Sequence, residues 1–226
     1  MSNAQACQAC YDEQDGDEVY PFPIRFYAWI ALVQGDLASA RAYSLAQLAA
    51  SRRRYSPWIV ADALGFLGWE ALTSGDLEPA ARFCEEALSM RTQVAANLLS
   101  IATYVLARIA LARGETVRAR TFIHAFANDN YHSWPPVQLG IQLFGILAQK
   151  QGRYARAATL FGAQAFLETE LLNVIPPPER EAYHEALSAV RAQLSAEELA
   201  AAWQKGKAMS TEQAIQYALD EPAAAS

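Results

Sequence analysis

Cysteine side chains are the first candidates for chemistry in this 226-residue sequence. Cys7 and Cys10 are separated by two residues, a spacing used by metal sites and redox centres. A structural zinc site needs four ligands, however, and the third cysteine, Cys84, lies far along the chain. We therefore expect neither a metal nor a cofactor. Three cysteines cannot build a disulfide framework, which favours a reducing compartment.

Histidines and carboxylates do not show a catalytic spacing either. His124, His132 and His184 are scattered, and none lies at a triad-like distance from Ser, Cys or a carboxylate, although a triad assembled in space leaves no mark in sequence. Adjacent acids such as Glu85 and Glu86 are most simply solvated helix faces. We expect a protein that is not an enzyme, and a small all-α enzyme is the least favoured alternative.

Charge and hydropathy exclude two further classes. The net charge is −6, and the one basic run, Arg52 to Arg54, is too short for a phosphate-binding stripe, so we expect no direct nucleic-acid contact. No apolar run approaches the ~18 residues of a membrane span, and the N-terminus does not read as a signal peptide. The sequence therefore predicts a cytoplasmic protein without membrane contact.

A glycine followed five residues later by an alanine recurs four times. The glycines are 40, 39 and 38 residues apart, a period typical of stacked helical units. Small residues also recur four and seven positions before each glycine. The pairs are Gly35 and Ala40, Gly75 and Ala80, Gly114 and Ala119, and Gly152 and Ala157.

Helical periodicity surrounds each of these glycines, so each is predicted to sit in a tight turn with positive φ between two antiparallel helices. Asp36, Asp76 and Glu115 follow three of the glycines and are expected to cap the next helix, whereas Arg153 cannot. Capping boxes at Ser195 and Ser210 open two further helices. The predicted helices span 24–34, 37–54, 57–74, 77–91, 95–113, 115–128, 136–151, 153–172 and 178–194.

The glycine register also places a set of aromatic and polar residues on the first helices of the hairpins. Trp29 and Trp69 share one register position, six before the glycine, and Arg108 occupies it in the third unit. Such residues dominate binding surfaces. Packing of both tryptophans between hairpins as core is an equally open reading. The predicted groove residues are Arg25, Trp29, Asp62, Trp69, Tyr104, Arg108 and Gln142.

The small-residue pattern resembles the tetratricopeptide repeat, although its units are longer than the usual 34 residues. The resemblance implies an all-α fold: a right-handed superhelix of antiparallel helix pairs, a TPR-like α-solenoid, closed by a C-terminal helical cap. Its first helices would line a concave groove. The predicted organisation is a flexible segment or repeat end over 1–20, four hairpins over 21–175 (21–56, 57–93, 94–134 and 135–175), and capping helices over 176–226.

The C-terminal stretch carries a second resemblance. Its segments Arg156 to Ala163, Pro176 to Arg180, Ala202 to Lys207 and Glu212 to Ile215 are similar, in this order, to the end of large bacterial signal-transduction ATPases. In that family an NTPase precedes a helical-repeat arm and is often joined to a LuxR-type DNA-binding domain. The resemblance implies that this chain is such an arm. A Walker-type Gly-Lys-Ser/Thr loop is absent from the sequence.

These observations favour a non-catalytic interaction domain, the sensor arm of a bacterial transcriptional regulator or signalling ATPase. Its partner would be a protein, a peptide or a small effector held in the groove. The alternative is an assembly scaffold or oligomerisation spacer without a ligand of its own.

Overall fold

The computed structural model describes residues 22–53, 56–129, 136–165 and 175–220, and this part of the chain is all-helical, without a strand. The predicted flexible segment 1–20, with Cys7 and Cys10, lies outside it. The helices are α1 (Phe22–Gln34), α2 (Leu37–Arg53), α3 (Pro57–Thr73), α4 (Leu77–Ser89), α5 (Ser100–Ala112), α6 (Thr116–Asp129), α7 (Pro136–Lys150), α8 (Tyr154–Ala163), α9 (Pro177–Gln193), α10 (Ala196–Lys207) and α11 (Thr211–Leu219).

The chain divides within α5 into two compact units, an N-terminal unit over Met1–Ile109 and a C-terminal unit over Ala110–Ser226. In the N-terminal unit α1 packs on α2, and α3 packs on both α2 and α4. In the C-terminal unit α7 packs on α6 and α8, and α9 and α11 each contact α7 and α8. The predicted superhelix and the predicted domain boundaries stay predictions.

All four repeat glycines lie in the left-handed region, as predicted, with φ of 77°, 84°, 73° and 74°. Each turn closes with the same two hydrogen bonds. In the second turn the Gly75 amide donates to the Leu72 carbonyl over 3.0 Å, and the Asp76 amide donates to the Ala71 carbonyl over 2.9 Å. These bonds satisfy carbonyl groups that would otherwise lack a hydrogen-bond partner at the end of the helix. The turn requires the positive φ that glycine adopts without strain.

The alanine five residues after each glycine is buried with no exposed surface: Ala40, Ala80, Ala119 and Ala157. These alanines are buried because the two helices of a hairpin lie very close together, as the small residue seven before the glycine shows. A Cβ added to Gly68 would lie 3.2 Å from the Ala80 carbonyl oxygen, and one added to Gly145 would lie 2.9 Å from a ring carbon of Phe161. The two helices of these hairpins therefore approach so closely that small residues are required where they meet.

The expected caps after the glycines are only partly correct. Asp36 caps α2, since its carboxylate accepts a hydrogen bond from the Ser39 amide over 3.0 Å. Asp76 makes no side-chain cap bond, because the residue that would donate, Pro79, has no amide proton. The Glu115 carboxylate accepts from the Arg118 guanidinium instead, over 3.3 Å.

Two predicted helices differ in extent. The helix predicted over 95–113 begins as a 3-10 turn, Ala96–Leu99, that leads into α5, and this tightening accompanies burial of Leu99. The helix predicted over 153–172 ends at Ala163. There the Gln164 amide donates to the Phe161 carbonyl in a tightened last turn, and the Gln164 side chain donates to the Gln138 carbonyl of α7.

Helices α10 and α11 begin with the predicted capping boxes. Ser195 pairs reciprocally with Glu198, and Ser210 pairs with Gln213. Helix α10 lies so close to α8 that a Cβ on Gly162 would be 3.0 Å from the Trp203 Cα.

Arg156 ties α8 to the end of α11. Its guanidinium donates to the Tyr217 and Ala218 carbonyls over 2.6 and 3.0 Å, at the negative end of the helix dipole. Residues of all four segments that carried the family resemblance thus lie in α8 or in helices that contact it.

Candidate ligand-binding surface

Three aromatic rings form a continuous row across the N-terminal unit. The Trp29 ring of α1 lies 5.1 Å from that of Trp69 on α3, with an edge-on interplanar angle of 73°. The Trp69 ring lies 5.1 Å from the Tyr104 ring on α5. These separations are favourable for aromatic pairs. The row joins residues from the first helices of three hairpins, which the glycine register had placed on one surface.

An ion pair lies on the same two helices, α1 and α3. The Arg25 guanidinium of α1 is 3.3 Å from a carboxylate oxygen of Asp62 on α3, and the Gln47 amide of α2 donates to the other oxygen over 3.1 Å. Asp62 is buried, whereas 29% of the Arg25 side chain is exposed. Burial raises the pKa of Asp62, although Arg25 and Gln47 each act to lower it.

The raised pKa of Asp62 has a consequence for stability. A carboxyl whose pKa is higher in the folded state than in the unfolded state destabilises the fold when it is ionised. The loss of folding stability grows as pH rises from the unfolded-state pKa to the folded-state pKa. We expect Asp62→Asn to match the parent chain at low pH and to melt at a higher temperature near neutral pH. Thermal denaturation of both chains between about pH 4 and about pH 8 measures the difference.

Asp36→Asn is the matched control for this measurement. Hydrogen bonds from Ser39 lower the pKa of Asp36, so its carboxylate stabilises the fold above the unfolded-state pKa, and the substitution should show the opposite pH trend. If Asp62→Asn loses stability relative to the parent as pH rises, Asp62 is net stabilising in its charged form.

Most of the predicted groove residues occur together. Arg25, Trp29, Asp62, Trp69 and Tyr104, which we call the aromatic–ionic cluster, are joined by the contacts above. Arg108 lies one turn beyond Tyr104 on α5 and is half-buried. Gln142 is buried on α7 in the C-terminal unit and is not among the residues that the N-terminal unit brings together.

Burial differs within the cluster. Trp69 and Tyr104 are 1% and 2% exposed, whereas Trp29 is half-buried. The two tryptophans that share a register position therefore have different environments: Trp69 is a core residue, and Trp29 keeps a surface available for contact. Within the cluster, the partly exposed side chains of Trp29 and Arg25 are therefore the ones that a ligand can contact.

Sequence reasoning missed several polar residues beside the cluster. Gln47 is buried against Asp62, and Glu70, also buried, accepts from Arg41 over 2.8 Å. The register counted positions only on first helices and so left α2 out. The signal that could have found Gln47 is in the sequence, because it is the single glutamine of this alanine-rich helix. The Trp69 indole nitrogen and the Thr73 hydroxyl are buried one turn apart and make no hydrogen bond within the described residues.

The cluster combines aromatic rings with a partly exposed guanidinium, side-chain types that binding surfaces use. Within the described ranges no group of three or more His, Cys, Asp or Glu side chains is arranged to hold a metal ion. Among the same residues, the helices fall short of the length and apolarity that crossing a membrane demands.

The geometry defines an all-helical protein built on recurring glycine-turn hairpins, with an aromatic–ionic cluster across first helices. No protein-family profile matches the chain, and no solved structure matches it. It is similar to proteins provisionally named HTH-type transcriptional regulators from Mycobacterium bovis and from two strains of Mycobacterium tuberculosis. Each is 30% identical over 152 residues, which cover 66% of this chain and 17% of the relative. The match thus spans about a sixth of each relative.

Proposed function

We propose that this chain is a non-catalytic helical-repeat domain that binds a protein, a peptide or a small effector. In this proposal it is the sensor arm of a larger bacterial transcriptional regulator of the LuxR or signalling-ATPase type, and it works in the cytoplasm without a cofactor. Its hairpins would stack as a TPR-like superhelix. The similarity to regulators supports the regulatory context, and the four identical glycine turns support the repeat architecture.

The observation that carries the binding role is the aromatic–ionic cluster. Hot spots of interfaces combine Trp, Tyr and Arg because these side chains join large contact areas to directional hydrogen bonds. Here Trp29 is held in place by the buried Trp69 ring, and Arg25 by Asp62. Contact groups that are already fixed lose little conformational entropy on binding, which favours affinity.

The burial pattern decides which substitutions test this role. Trp69→Ala would remove a fully buried ring and cost about 3–5 kcal/mol of folding stability, so a loss of binding would be ambiguous. Trp29 and Arg108 are only half-buried and can be truncated with less damage. Leu45 on α2, which is 45% exposed, provides a control outside the cluster.

The test is selection of a displayed random-peptide library on the chain, followed by titration of one enriched peptide against each variant. We expect Trp29→Ala and Arg108→Ala each to weaken binding about tenfold or more, the effect of losing a hot-spot residue, and Leu45→Ala to leave affinity unchanged. Circular dichroism checks that each variant is folded. Equal affinity across the three folded variants would remove the binding role from the cluster, through Trp29, and from the neighbouring Arg108.

A second function, an assembly scaffold without its own ligand, is favoured by a different observation. Phe26, Tyr27 and Ile30 on α1 are about half exposed. Apolar surface of this kind is typical of assembly contacts. Light scattering separates the two proposals: a monomer at all concentrations argues against self-assembly, whereas a concentration-dependent oligomer supports it.

A further inference from the structure

Helix α1 is apolar on nearly all sides. Of its thirteen residues only Arg25 and Gln34 are charged or carry an amide. Ile24, Ala28 and Leu32 are buried on its inner face. On the opposite face Phe26 and Ile30, one turn apart, are 50% and 47% exposed; we call them the outer stripe. A helix that is apolar all round is normally covered on both faces, so a neighbouring element is expected over this stripe.

The repeat register shows what covers the same stripe one unit later. Forty residues beyond Phe26 and Ile30 lie Phe66 and Glu70 on α3, and these are only 2% and 6% exposed. Asp62, Phe66 and Glu70 follow one another at four-residue intervals on one side of α3.

The cover of the α3 stripe comes from the preceding helix. Gln47 and Arg41 of α2 bind Asp62 and Glu70 at the two ends of the stripe, and Phe66 lies between them. The second helix of one hairpin therefore covers the first helix of the next.

We propose that the outer stripe of α1 is the docking surface for the second helix of a preceding helical hairpin, contributed by the same polypeptide upstream of α1. This inference uses the repeat architecture of the proposed function but not its ligand. The similar regulators have room for further hairpins, since the aligned segment is 17% of their length.

The chemistry of the stripe also specifies its occupant. Glu70, which receives the Arg41 guanidinium, is replaced at the equivalent position of α1 by Ile30. A basic side chain facing Ile30 would lose its hydration without gaining a partner, which is costly. The docking helix therefore carries an apolar residue where α2 carries Arg41, and the contact should persist in high salt.

The test compares thiol labelling of Ile30→Cys in the full-length gene product and in the 226-residue chain, both with Cys7 and Cys10 replaced by serine. Val117→Cys, at a position that is 71% exposed, is the control. We expect maleimide to label the introduced thiols at positions 30 and 117 at similar rates in the 226-residue chain. In the full-length product the thiol at position 30 should react at least about tenfold more slowly, while the thiol at position 117 is unchanged.

Four results would overturn the proposal. Equal labelling of position 30 in both proteins, or a gene product without a hairpin upstream of α1, removes the proposed occupant. Protection of position 30 in the monomeric 226-residue chain means that this chain already covers the stripe. Protection that appears only with concentration-dependent dimerisation assigns the stripe to a second copy. None of these outcomes bears on the peptide titration, so the two proposals fail separately.

Discussion

Replacing Gly206 by alanine is expected to destabilise the C-terminal unit by about 3 kcal/mol or more, because the backbone of α8 occupies the space that the new Cβ needs. That Cβ would lie 2.6 Å from the Ala163 amide nitrogen and would overlap the Thr159 carbonyl oxygen. Backbone atoms cannot rotate away as a flexible side chain does, so α8 and α10 must separate. Hydrogen exchange measured by mass spectrometry should show faster exchange in these two helices.

Gly140→Ala is the matched control in the same unit. Gly140 lies within α7, and its added Cβ would meet the Phe126 ring at 3.6 Å, an ordinary contact distance. Alanine is the better helix former, so this substitution should raise stability by about 0.5–1 kcal/mol. The two glycine variants are thus expected to change stability in opposite directions. A Gly206→Ala chain as stable as the parent would show that the two helices can separate at no cost.

Gly162 provides an internal check, because it lies at the same crossing on the other helix. Its Cβ would press on the Trp203 backbone, 3.0 Å from the Cα. Once one substitution has pushed α8 and α10 apart, the second meets less resistance. The double variant should therefore lose less stability than the sum of the two single losses.

The turns could be predicted from sequence because their cause is local. A glycine between two periodic helical segments needs only its own positive φ and two hydrogen bonds within six residues, and all four turns have both. The missing cap at Asp76 has a local cause too: Pro79 is visible in the sequence and excludes the bond.

The depth of burial could not be predicted in the same way. The register placed Trp29 and Trp69 at one position, but what lies over each ring depends on neighbouring helices that the register does not describe. Likewise, Gly162 and Gly206 gave no sign that they lie at one crossing, since it brings together helices that are far apart in sequence. Such contacts depend on tertiary packing, whereas the repeat describes only the hairpin.

Gly68→Ala is expected to destabilise the N-terminal unit by about 2–3 kcal/mol, for a reason that a second substitution can isolate. The new Cβ would overlap the Cys84 sulfur, while the next atom, the Ala80 carbonyl oxygen, is 3.2 Å away. Cys84 is fully buried, so its sulfur is enclosed by the core. Burial also raises the pKa of its thiol, which therefore stays neutral. In a Cys84→Ala background the main obstacle is gone, and Gly68→Ala should cost far less.

The two substitutions therefore form a double-mutant cycle with an expected coupling of about 1–2 kcal/mol, measured by urea denaturation of the four chains. Strict additivity would mean that the helices, and not the sulfur, absorb the added Cβ. The cycle also tests the repeat itself, because Gly145 and Phe161 occupy the equivalent positions of the last hairpin and show the same overlap. If both pairs couple, the residue seven before each of these turn glycines must be small because the residue nine after it fills the space between the helices.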